Sequence, residues 1–87
     1  MKVVEIKSIS RKDVPIYYRR LYTGIAVVEL INGNAEASIE FQVEHMPTGQ
    51  KVVAITALED VDYPLVPLHK ELKKFIEALD SDGSLPN

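Results

Sequence analysis

The residues best suited to chemistry lie between Pro15 and Gly24, where "PIYYRRLYTG" sets Tyr17, Tyr18 and Tyr22 around the adjacent Arg19 and Arg20. Tyrosine rings stack on unpaired bases and guanidinium groups neutralise phosphates, so this mixture suits single-stranded nucleic-acid binding. Arg11 and Lys12, a few residues upstream, would extend the same basic edge. Strand alternation argues for a plainer outcome. It puts Tyr18, Arg20 and Tyr22 on one face and Tyr17, Arg19 and Leu21 on the other. Tyr22 then serves the core, and its basic neighbours pair with glutamates such as Glu44. The net charge of -3 favours the plainer outcome.

Other chemistries find less support. The two histidines, His45 and His69, fall on different elements, and without cysteines a metal would have to recruit scattered carboxylates. "LEDVD", residues 58–62, lacks the ligand spacing of a calcium loop, and its carboxylates suit the N-terminal end of a following helix. There is no Gly-x-Ser-x-Gly, no His-Glu-x-x-His, no phosphate-cradling glycine loop and no cysteine nucleophile. The sequence therefore predicts a non-enzymatic protein with no metal site and no cofactor.

Charge is segregated along the chain. Residues 1–24 carry Lys2, Lys7, Arg11, Lys12, Arg19 and Arg20 against Glu5 and Asp13. Residues 25–62 carry Lys51 alone against Glu29, Glu36, Glu40, Glu44, Glu59, Asp60 and Asp62. Neighbouring strands of one sheet can satisfy this imbalance internally, so it does not require an acidic partner. The absence of cysteine fits a reducing compartment. Glu5 and Lys7 interrupt what would be a signal peptide's apolar stretch, and no run approaches the roughly 20 apolar residues of a spanning helix. A cytoplasmic protein with no membrane contact is the resulting expectation.

Periodicity supplies the elements that position these residues. "VVEIKSI", residues 3–9, reads as a strand. A second strand runs through the tyrosine–arginine stretch toward "ELINGNAEA", where Asn32-Gly33 predicts a two-residue hairpin loop. That loop sets Ile31 opposite Asn34 and Gly24 opposite Phe41, leaving room for the ring. Its drawback is Glu29 facing Glu36; a three-residue loop would instead turn Ile25 and Val27 inward. In the third strand Ala37, Ile39, Phe41 and Val43 point to the core, and Glu36, Ser38, Glu40, Gln42 and Glu44 point away. After "HMPTGQ", "KVVAITALE" reads as a strand with Val53, Ile55 and Ala57 on one face and Val52, Ala54 and Leu58 on the other. Leu65, Leu68, Leu72, Phe75, Ile76 and Leu79 then recur at helical spacing, with Asp62 placed to cap and Gly83 to stop the helix.

The predicted fold is α+β: a meander-like four-stranded antiparallel sheet followed by one C-terminal helix packed on one face. One domain spans residues 1–80, with 81–87 a flexible tail. In layout alone, this order resembles a single repeat of the PUR family of nucleic-acid-binding proteins, and the resemblance implies nucleic-acid binding. A chain of 87 residues buries only roughly 60–65% of its unfolded surface. The second and fourth strands are apolar on both faces, more than one helix can cover. The sequence therefore points to a homodimer, or another protein partner, meeting Leu21, Ile25, Val27, Val52 and Ala54.

Overall fold

The computed structural model describes residues 2–12, 18–59 and 65–86. Strands β1 (Lys2–Arg11), β2 (Arg19–Leu30), β3 (Gly33–His45) and β4 (Lys51–Leu58) form one antiparallel sheet in the order β1-β2-β3-β4, and helix α1 (Leu65–Ser81) follows. This is the predicted ββββα order. Among the described residues no helix is long and apolar enough to cross a membrane.

Core positions follow the two periods read from the sequence. Val28, Phe41 and Val43 from the sheet meet Leu68, Leu72 and Ile76 from α1, all of them fully buried. Lys70, Lys73, Lys74 and Glu77 are exposed on the far side of the helix. Tyr22 is also fully buried, and its ring stacks on Phe41 with centroids 5.1 Å apart. The expected capping residue, Asp62, lies outside the described residues.

The β2–β3 hairpin differs from the predicted register. Leu30 pairs with Gly33, so the turn residues are Ile31 and Asn32 rather than Asn32 and Gly33. Neither turn residue has a positive φ; Gly33, at φ 121°, takes the left-handed region instead. Pairing consequently slips by two residues, which preserves every side chain's face because the strand period is two. Tyr22 now stands opposite Phe41, Gly24 opposite Ile39, and Val27 opposite Glu36. The predicted Glu29–Glu36 confrontation disappears. Gly24 makes room for β1 rather than for Phe41: a Cβ there would sit 2.9 Å from the Ile6 methyl Cγ2.

A second departure lies in β4. Glu40 pairs with Ala57 and Phe41 with Ile55, so Thr56 is an extra residue on the β4 side. The bulge exchanges the faces beyond it. Leu58 packs against the core, and Ala57 shares the outer row with Glu40.

The C-terminal segment also has structure where composition suggests a flexible tail. Gly83 adopts φ 78°, and the Ser84 N–H donates to the Leu79 carbonyl, closing the helix in a Schellman arrangement. The turn returns Leu85 to the core, where it is buried. Tyr22 Oη then donates to the Pro86 carbonyl at 3.1 Å.

Candidate functional site

The sheet face opposite α1 carries the predicted interaction residues. Strand alternation places Leu21, Ile25 and Val27 of β2 and Val52 and Ala54 of β4 there, on either side of the outer row of β3. Val27 is buried and the other four are half-buried. An open groove of about 590 Å³ crosses this face, lined by small and polar residues that include Ser8, Thr23, Ser38 and Ala57.

The β3 glutamates are matched by the basic residues of the first quarter. Lys7 Nζ donates to Glu36 Oε2 at 2.6 Å, Lys12 pairs with Glu40, and Arg19 lies 3.6 Å from Glu44. Since β2 separates β1 from β3, the Lys7–Glu36 and Lys12–Glu40 pairs reach across the apolar row of β2. The lysine stems thereby cover apolar surface while their charges stay in water. The hydrogen bond to Glu36 and its negative charge raise the Lys7 pKa above its ordinary value. The Arg19–Glu44 pairing is the one suggested by the sequence; the spacing of Glu36, Glu40 and Glu44 on one face is the signal that locates the other two.

Arg20 faces the opposite way and meets α1. Its Nη2 donates to Asp80 Oδ1 at 2.7 Å, its Nη1 donates to Tyr22 Oη at 3.0 Å, and Lys51 Nζ lies 3.2 Å from Asp80 Oδ2. One carboxylate thus ties together β2, β4 and the end of α1. Burial by itself pushes the Asp80 pKa up, but the hydrogen bonds and charges of Arg20 and Lys51 outweigh it and hold the carboxyl below its ordinary range. For Arg20, burial works against the charge, and Asp80 and Tyr22 more than restore it. Spacing does not reveal Asp80, which lies sixty positions away from Arg20 in sequence.

The candidate nucleic-acid residues are therefore dispersed. Arg19 and Arg20 project to opposite faces, Lys12 is paired with Glu40, and Arg11 is exposed at the end of β1. Tyr18 is exposed, with the Arg19 guanidinium 5.5 Å from its ring centroid. Tyr17 lies outside the described residues. His45 and His69 remain on separate elements, and among the described residues no three His, Asp or Glu side chains are grouped to hold a metal. Glu59, read as part of a helix-capping acidic cluster, instead accepts the Ser38 N–H at 2.7 Å where β4 ends.

The likeness to a PUR repeat rests on element order alone. Neither a curated protein nor a solved structure matches this chain. A family model does, over residues 1–81, and the chain belongs to the BB_0187 family.

Proposed function

We propose that this chain is a small non-enzymatic interaction module that self-associates through the sheet face turned away from α1. The observation that carries the reading is the second apolar layer of the sheet. Leu21, Ile25 and Val27 on β2 and Val52 and Ala54 on β4 lie opposite the helix-covered core, flanking an open groove. Apolar residues so placed gain by leaving water, at about 25 cal/mol per Å² of surface removed. A second copy supplies a matching surface without requiring another gene product. The paired glutamates support the same reading, because Lys7, Lys12 and Arg19 remove the repulsion that a bare acidic row would bring to a symmetric contact. The cysteine-free composition suits a reducing, cytoplasmic setting.

Single-stranded nucleic-acid binding is the weaker alternative. A phosphate would have to compete for Lys12, Arg19 and Arg20 with the carboxylates that already hold them. Sedimentation velocity from low to high micromolar protein tests the lead reading. The expected result is a concentration-dependent dimer that is lost in Leu21→Glu/Val52→Glu; a monomer throughout would overturn it.

A further inference from the structure

Resting on the self-association just proposed, we infer that the second copy joins at the free edge of β4, pairing strand to strand about Val53 to make one continuous eight-stranded sheet. The backbone directions support this pairing. The Glu59 N–H donates to the Ser38 carbonyl and the Met46 N–H to the Gln50 carbonyl, whereas the His45 N–H donates to Tyr18 on the other side of β3. Even-numbered β3 residues therefore direct their main-chain groups toward β4. Since Glu44 pairs with Val52 and Gln42 with Ala54, those two β4 residues bond inward. Lys51, Val53 and Ile55 consequently point their N–H and C=O groups outward, where the sheet has no further strand among the described residues.

The two edges of the sheet are unlike. β1 has register shifts between Val3 and Glu5 and between Lys7 and Ser10, a left-handed Ser8 at φ 56°, and exposed Lys2, Glu5, Lys7 and Arg11. Bulges and charges of this kind blunt an edge against pairing. From Lys51 to Ile55, β4 is regular; its bulge begins only at Thr56, and its one charge, on Lys51, is held by Asp80. One guarded and one open edge per copy produce a closed dimer rather than a fibre.

The segment is also complementary to itself. With Val53 opposite its counterpart, Lys51 and Ile55 meet their mates across the two-fold axis, giving about six main-chain hydrogen bonds from these three pairs. On the outer face Val52 of each copy meets Ala54 of the other, a large residue beside a small one, at a closely spaced non-hydrogen-bonded position. No carboxylate enters residues 51–55, so the pairing brings no like acidic charges together. The two outer faces become continuous, extending the apolar layer on which the self-association reading rests.

Amide hydrogen exchange on the full-length chain, measured by NMR from low micromolar to near-millimolar concentration with sedimentation in parallel, tests the pairing. The amides of Lys51, Val53 and Ile55 should slow by at least about 100-fold as dimer forms, while those of Val52 and Ala54, already bonded to β3, serve as the internal reference. In Val52→Lys/Ala54→Lys, which opposes lysine to lysine across the axis from the outer face, dimer and protection should be lost together. A dimer whose three outward amides exchange freely overturns the edge pairing and leaves self-association through the outer face standing. Protection that persists in a monomer also overturns it, by showing that the chain covers its own edge. A monomer at every concentration with free exchange overturns both readings.

Discussion

Replacing Asp80 with asparagine keeps the side chain's shape and removes the charge that holds Arg20. The pair is mostly buried, with 18% of the Arg20 side chain and 10% of the Asp80 side chain exposed. Breaking a buried pair by removing one partner costs about 3–5 kcal/mol, whereas exposed pairs contribute about 0–1. Arg20 retains its hydrogen bond to Tyr22 Oη and some contact with water, which places Asp80→Asn between these limits, at a loss of about 2–3 kcal/mol. In a domain of this size that lowers Tm by roughly 10–20 °C.

The chain has no tryptophan, so urea unfolding followed by far-UV circular dichroism is the suitable assay. Lys51→Ala is the control: its ammonium touches the same carboxylate, but 48% of the side chain is exposed, so the loss should stay below about 1 kcal/mol. Acid titration adds a second readout. The folded Asp80 carboxyl has a depressed pKa, so the unfolded chain takes up that proton first. The stabilisation is complete above the ordinary carboxylate range near ~4 and disappears as pH falls through the lower folded value. Asp80→Asn should therefore be less stable than wild type at neutral pH and lose less on acidification. A loss under about 0.5 kcal/mol together with an unchanged acid slope would refute the reasoning.

Two further substitutions probe features of the fold. Gly24→Ala should destabilise by about 1–3 kcal/mol in urea titrations, because the new methyl meets Ile6 Cγ2 at 2.9 Å inside the packed sheet; an unchanged midpoint would mean that β1 yields freely there. Leu85→Ala should cost about 2–4 kcal/mol, the range for a buried leucine, and should loosen the closure beyond Gly83. A neutral effect would show that residues 84–86 contribute no stability despite their burial.

The hairpin shows how far local chemistry reaches. "INGN" marks a turn because asparagine and glycine tolerate unusual φ, but several alignments of the flanking strands satisfy that preference. The Tyr22–Phe41 stack and the cations available to Glu36 and Glu40 favour the observed alignment, and these involve β1 and the core as well as the turn. The β4 bulge escapes notice for a related reason: "AITAL" is apolar throughout, so its pattern gives no sign of a change of face at Thr56. Leu85 is similarly disguised, because a polar, glycine-containing tail predicts fraying until the turn at Gly83 is seen to return it to the core.

By itself the sequence determined the element order, the core face of β3 and the buried stripe of α1, because periods of two and of about 3.6 residues are properties of the chain that survive any choice of neighbour. It also determined that the basic first quarter had acids within reach. Only the tertiary structure decided which acid each cation meets. Arg19 and Arg20, adjacent in the chain, end on opposite faces of β2, one beside Glu44 and the other against Asp80 on α1. The physical reason is that alternation decides a side chain's face, while its partner depends on strand register and helix placement, which pairings distant in sequence determine together.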